Sequence, residues 1–261
     1  MFLYYNINVK KDLKQMKLLK TILKGSKNLL FIDFEGTQFS HEVIAIGAAL
    51  VKCDEECCPI GEPRTYKWYI KSKAKIGSLV TNMTGIDQSL LEDKGITFTE
   101  AMKELNEFLG EDSKDLKVLT YGNQDMRMLM ASLRHAPASS DSEFVKSFVL
   151  YLKRNTVDMG AFFSRYIRGK KNELISLIKL RDYFDIAPAG NSHDPLVDSL
   201  DLYHIYLAFT TDKRKIISSY KRILRVSNIV PDPIKHIVIA LLNEKTVTPE
   251  DFDNLLEKYF E

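Results

Sequence analysis

The period of hydrophobic and polar positions changes along this chain, and each change marks an element. Leu29 to Phe34 is an apolar run interrupted only by Asp33, which predicts a buried central strand. Val43 to Val51 predicts its neighbour. The aromatic stretch TYKWYI at 65–70 predicts a third strand beyond a turn that holds Pro59, Gly61 and Pro63, completing an antiparallel meander. The period then becomes helical: Phe98, Met102, Leu105 and Leu109 share one face, and Gly110 supplies a stop. Lys117 to Tyr121 predicts another short strand, broken by Gly122 and Asn123 before a helical period resumes in DMRMLMASL. A polar loop over 136–142 leads to a helix, a brief strand over Thr156 to Met159 and further helical patterns up to Asp185.

Pro195 suits the first position of a helix and Asp194 its cap, so a helix is predicted from Pro195 to about Phe209, with His193 just outside it. Three shorter helical patterns follow, separated by Pro231, Asp232 and Pro233 and by Thr248, Pro249 and Glu250. At the other end, Leu13, Met16, Leu19 and Leu23 form an apolar stripe among lysines. The expected organisation is a basic amphipathic lead segment over 1–27, a main domain over 28–210 and a helical extension over 211–261. Strands first, then alternating strand and helix, predict an α/β domain whose site gathers at strand and helix ends.

Composition narrows the class. The chain has 261 residues, 45% hydrophobic and 28% charged, as in an ordinary globular protein with a sizeable core. No apolar run approaches the roughly 18 residues that suggest a membrane span, and no signal-peptide pattern stands at the N-terminus; a cytoplasmic protein without membrane association is expected. Its 3 cysteines, Cys53, Cys57 and Cys58, crowd into one segment without a disulfide partner framework or a second metal-binding pair, and read as incidental thiols of a hairpin loop. The net charge is only +2, yet lysines crowd residues 10–27 and Lys213, Arg214, Lys215, Lys221, Arg222 and Arg225 crowd a later segment; such stripes can hold phosphates.

The candidate chemistry lies in three acidic clusters. In FIDFEGTQF, Asp33 and Glu35 are two apart on a strand and project from one face. Two carboxylates so close repel, and a bound cation relieves the repulsion; all-oxygen ligands suit magnesium or manganese. Asp125 stands at a strand-to-helix junction. In NSHDPLVDSL, Asp198 is fixed in the first turns of a helix while His193 sits on its approach. Singly, each residue has a structural explanation as a surface acid, an early-helix charge or a loop histidine. Together they read as a candidate metal site at strand and helix ends.

This arrangement resembles the DEDDh exonucleases of the ribonuclease H-like superfamily over roughly Asn28 to Phe209. Asp33 and Glu35 match the first motif, Asp125 the second, and His193 with Asp198 the third; the FEGT order is more similar to the histone-mRNA and RNA-interference type than to the proofreading-polymerase type. Thr84, Gly85 and Ile86 match the family's TGI turn, which borders the pocket for the terminal nucleotide, with Gly36 and Thr37 as further substrate contacts. The resemblance implies an exonuclease domain over 28–210 with a mixed five-stranded sheet flanked by helices. It also implies removal of 5′-mononucleotides from the 3′ ends of single-stranded RNA or DNA, RNA being favoured by the FEGT style. Two ions, Mg²⁺ or Mn²⁺, would be held by Asp33, Glu35, Asp125 and Asp198, with Asp33 between them and His193 as general base. An imidazole that accepts a proton must be neutral, so activity is expected to rise as pH rises through its titration. The departures from the family pattern are Pro195, where a small residue is usual, and the extra carboxylate of Asp194. The same features also suit a nucleic-acid-binding or scaffold protein that retains the fold with weak catalysis; the intact ligand set favours the enzyme. Phe39 and Met83 read as packing residues rather than base stackers.

Overall fold

The computed structural model describes residues 17–226, 230 and 232–260. Most of the lead segment, residues 1–16, therefore lies outside the described residues; helix α1 (Lys17–Leu23) follows, with Leu19 and Leu23 fully buried. Three strands come next, β1 (Asn28–Gly36), β2 (Val43–Cys53) and β3 (Pro59–Tyr69), then helices α2 (Ser78–Thr84), α3 (Gln88–Lys94) and α4 (Phe98–Leu109). Strand β4 (Leu116–Thr120) leads to α5 (Gln124–His135) and α6 (Ser142–Arg154), and β5 (Thr156–Asp158) to α7 (Met159–Phe163), α8 (Leu177–Tyr183) and α9 (Pro195–Thr211). Helices α10 (Lys213–Val226), α11 (Asp232–Leu242) and α12 (Pro249–Phe260) end the chain.

The sheet has 5 strands in the order β3-β2-β1-β4-β5. The first three pair antiparallel, as the meander pattern predicts, and β4 and β5 join in parallel, so the sheet is mixed. Alternation along β1 assigns its two faces. Leu30, Ile32 and Phe34 point into a core with Met102 and Leu105 of α4, Leu129 of α5 and Val149 of α6. Phe31, on the opposite face, meets Tyr203 and Tyr206 of α9 edge-on at 5.4 and 5.5 Å. Continuing two residues at a time, Asp33 and Glu35 lie on the α9 face, at the carboxyl end of the strand.

Caps account for where the helices begin. Thr97 and Glu100 form a reciprocal capping box at α4. Asp194 Oδ1 accepts the Leu196 N–H at 3.0 Å at the start of α9, as the Asp-Pro sequence predicts. A buried ion pair between Arg181 of α8 and Asp201 of α9, 2.8 Å, anchors the connection between those helices, and Asp201 also accepts the Ala189 N–H at 3.2 Å. Cys53 ends β2 and Cys57 and Cys58 lie in the β2–β3 turn, all three as free, buried thiols. Burial pushes the Cys58 thiol up to about 11, so it is no ready metal ligand. Among the described residues no cysteine belongs to a metal-ligating cluster.

The described residues divide into two compact units, one comprising 17–160 with 177–211 and the other 161–176 with 212–226, 230 and 232–260. The first holds the sheet. In the second, the α10 guanidinium of Arg222 donates to the carbonyl of Gly169 at 3.0 Å and to that of Arg168, and Tyr166 packs on Tyr220 with ring centres 5.7 Å apart. No described helix is long and apolar enough to cross a membrane.

Candidate metal centre

The carboxyl end of β1 gathers the acidic clusters. The β1–β4 pairing ends at Phe31 and Leu119, so the N–H groups of β1 beyond that point lack a strand partner on this side. Asp125, in the first turn of α5, fills the gap: its Oδ1 accepts the Phe34 N–H at 3.1 Å. This bond ties the second motif to the first and explains why Asp125 is 4% exposed. On the other side, the first turn of α9 lies across β2. An ideal Cβ on Gly47 would fall 2.0 Å from the Pro195 carbonyl carbon, so only glycine lets the helix start approach this closely. Gly47 pairs with Asp33 in the sheet, so the approach places the third motif above the first.

Within that motif His193 adopts a left-handed φ of 65°, a conformation unusual for a residue with a side chain. Its N–H donates to Asp198 Oδ2 at 3.2 Å. The turn thus brings one ligand atom each of Glu35, His193 and Asp198 within 4.8 Å of one another, a geometry suited to a metal ion. The structure therefore brings Glu35, His193 and Asp198 to metal-ligating distance of one another, while Asp33 and Asp125 lie outside that group but near enough to act electrostatically within the cluster.

Burial and mutual repulsion dominate the electrostatics of the acidic cluster. Burial, then the neighbouring Asp125, Asp198 and Glu35, push Asp33 well above the carboxylate range, although part of its surface stays accessible. Burial, then Asp198 and Asp125, raise Glu35 to about 8, with Lys67 pulling weakly the other way. Burial raises Asp125 to about 7 against the lowering effect of its bond from Phe34. Asp198 is raised too, mainly by burial, with His193 opposing. In each case the folded value lies above the unfolded one, so the folded chain binds protons more tightly. These groups then contribute stability that is fully present in acid, below the ordinary 4.5 of a glutamate, and lost as pH rises through about 7 and about 8. In chelator, the thermal midpoint is expected to fall as pH rises from about 5 to about 8, followed by circular dichroism; a midpoint that climbs across that range contradicts the cluster as described.

The expected substrate contacts are placed as follows. Gly36 ends β1, where an added Cβ would meet the Met128 sulfur at 2.5 Å. Thr37 is buried in the β1–β2 turn, its hydroxyl 2.7 Å from Ser40 Oγ and accepting the Glu42 N–H at 3.0 Å. Gly85 caps α2 in the left-handed region at φ 72°, Thr84 Oγ1 accepts the Ile86 N–H at 3.0 Å, and Ile86 is buried beside Ile44 and Val80. Phe39 and Met83 depart from expectation: they are 86% and 49% exposed, so neither packs inside, because the β1–β2 turn and the outer face of α2 hold them in solvent. Two residues were missed. Lys67, read only as part of an aromatic strand, forms an ion pair with Asp194 at 2.8 Å. Asp158 accepts the Gly122 N–H at 3.0 Å and acts electrostatically on Asp125. Neither carries a local signal, since each partner comes from a distant segment.

No protein-family model and no curated protein matches the chain. Solved structures do. The nuclease domain of 3′hExo, a DEDDh family member bound to rAMP, aligns over 73% of this chain and 94% of that one, with a TM-score of 0.56 and 16% identity. A 3′-exonuclease that recognises the 3′ end of the histone mRNA stem-loop aligns over 76% of this chain and 71% of that one, with a TM-score of 0.58 and 18% identity. Pop2p of S. pombe, in a form bound to Mg²⁺ and Mn²⁺, aligns over 77% of this chain and 89% of that one, with a TM-score of 0.50 and 16% identity. The fold of this chain is ribonuclease H-like, the α/β fold of the DEDDh exonucleases that its motifs resemble.

Proposed function

We propose that the chain is a metal-dependent 3′-to-5′ exonuclease that releases 5′-mononucleotides from single-stranded nucleic acid, RNA in preference to DNA. The observation that carries this reading is the convergence, at one strand end, of four carboxylates from three distant segments with one histidine beside them. Asp198 Oδ1 is buried without a hydrogen-bond partner, and burial with mutual repulsion holds the carboxylates high despite Lys67 and His193; both fit a site built for cations. Asp33, Glu35, Asp125 and Asp198 would hold two Mg²⁺ or Mn²⁺ ions. When bound, such ions supply positive charge against the transition state and make water a stronger acid.

The protein's own residues do the rest. Asp33 and Glu35 ride on a central strand and Asp125 is fixed to that strand by the Phe34 N–H, so the cluster is rigid before substrate arrives. His193, on its left-handed turn, takes the proton of the attacking water at an imidazole nitrogen. The Thr84-Gly85-Ile86 turn borders the terminal nucleotide, with Gly36 and Thr37 shaping the β1 side. Outside the sheet unit, the exposed Lys213, Arg214 and Lys221 of α10 support an anionic polymer as ligand. The ligands of the structurally similar proteins, rAMP, an mRNA stem-loop and Mg²⁺ with Mn²⁺, support the same substrate class and ions.

The test uses 5′-labelled RNA and DNA of one sequence, each with a free 3′-hydroxyl, incubated with the full chain in Mg²⁺ or Mn²⁺ and then in EDTA. A ladder shortening from the 3′ end, faster on RNA and absent in EDTA, is expected. Binding without shortening in either metal identifies a nucleic-acid-binding protein that merely keeps the fold.

A further inference from the structure

We infer that Lys67 is a positioning residue for His193, acting through the carboxylate of Asp194; the inference rests on the exonuclease reading only for its effect on turnover. The sheet register makes the connection. Asp33 pairs with Gly47 and Gly47 with Lys67, so the three form one row across β1, β2 and β3. The neighbouring row is Glu35, Ala45 and Tyr69, so Lys67 and Tyr69 stand on the face that carries the acidic pair. Because Gly47 has no side chain, the start of α9 settles over β2 and delivers Asp194 to Lys67.

Both oxygens of Asp194 are then committed. Oδ1 accepts the Leu196 N–H at 3.0 Å, and Oδ2 meets Lys67 Nζ at 2.8 Å. The ammonium is itself braced, 4.9 Å from the centre of the Tyr69 ring. With side-chain exposures of 20% and 34%, the pair is shielded enough to count for more than a surface ion pair. Asp194 directly follows His193, whose left-handed backbone needs support from its surroundings to persist. Two bonds supply that support: the His193 N–H to Asp198 on one side, and Asp194 to Lys67 on the other. Lys67 also keeps the charge of Asp194 occupied, so this extra carboxylate caps the helix and stays out of the ligand set. Without Lys67 the turn is held from one side only, and the imidazole is free to leave Glu35 and Asp198.

The test compares full-length wild type with Lys67→Ala, Lys67→Arg, Asp194→Asn and the Lys67→Ala, Asp194→Asn double variant. In metal-free protein without substrate, amide hydrogen exchange at His193 and Leu196 is expected to quicken about tenfold in Lys67→Ala, while β1 and α4 amides keep their protection. On a labelled oligonucleotide, kcat is expected to fall by about ten- to a hundredfold with KM unchanged, as displaced catalytic groups do. Lys67→Arg restores most of it, and the double variant is no worse than Lys67→Ala. Unchanged exchange at His193 overturns the inference, as do additive losses in the double variant. A raised KM with kcat intact also overturns it, because Lys67 then touches substrate rather than positioning the base. If wild type hydrolyses nothing, the exonuclease reading fails, and the exchange measurement still decides the role of Lys67.

Discussion

Asp33→Asn will abolish hydrolysis while making the metal-free protein more stable at pH about 8. The two effects have one cause. Asp33 stands at the centre of the cluster, where burial and Asp125, Asp198 and Glu35 all oppose its ionisation. Asparagine keeps the shape and removes the charge, relieving that repulsion without leaving a cavity. The same change removes a negative charge that, on the exonuclease reading, would help hold positive charge at the reacting phosphate. A loss on the order of 10³-fold or more in kcat is expected, as when a principal transition-state stabiliser is removed. Thermal melting in chelator and turnover in Mn²⁺ check the pair of effects. An active Asp33→Asn variant, or one destabilised in chelator at that pH, contradicts the account of the site.

Gly47→Ala is the second large effect, and it acts through packing rather than charge. The added methyl would lie 2.0 Å from the Pro195 carbonyl carbon and 2.1 Å from the Leu196 nitrogen, both backbone atoms that no rotamer change can move aside. The helix start must lift from the sheet, carrying His193 and Asp198 away from Glu35. Overpacking of this kind costs about 1 to 3 kcal/mol, and a displacement of about an ångström at catalytic groups costs about a hundredfold in rate. Denaturant unfolding and kcat, measured together, should both fall. A variant with native kcat shows that the close approach of α9 to β2 is unimportant to the reaction.

How much of this was legible in the sequence follows from the range of the interactions involved. Asp33 and Glu35 announce themselves because strand alternation is local, and Asp194-Pro195 marks a helix start because capping involves adjacent residues. The five strands and helices α4, α5, α6 and α9 of the sheet-bearing unit follow from the same local rules. What stayed hidden depends on distant partners. Lys67 and Asp194 are 127 positions apart, and nothing in TYKWYI distinguishes this lysine from one that faces solvent. Gly47 looks like any small residue of a buried strand until α9 is laid across it. Helices α2 and α3 are 7 residues each, too short for an apolar period to stand out, and are held by Val80, Ile86 and Leu91 against Ile44 and Ala45. The union of 161–176 with 212–261 depends on contacts such as that of Arg222 with Gly169, which no local pattern reports.

The function proposed for the cluster around Asp33 is cutting phosphodiester bonds from the 3′ end. Its most direct test is the identity of the first product from RNA labelled in its 3′-terminal nucleotide, incubated with the full chain and Mn²⁺. Label is expected to appear at once as a nucleoside 5′-monophosphate, with none in longer fragments and none released by Asp33→Asn. With the label in the base or sugar of that nucleotide, label emerging first in oligonucleotides or as a free nucleoside would contradict this reading.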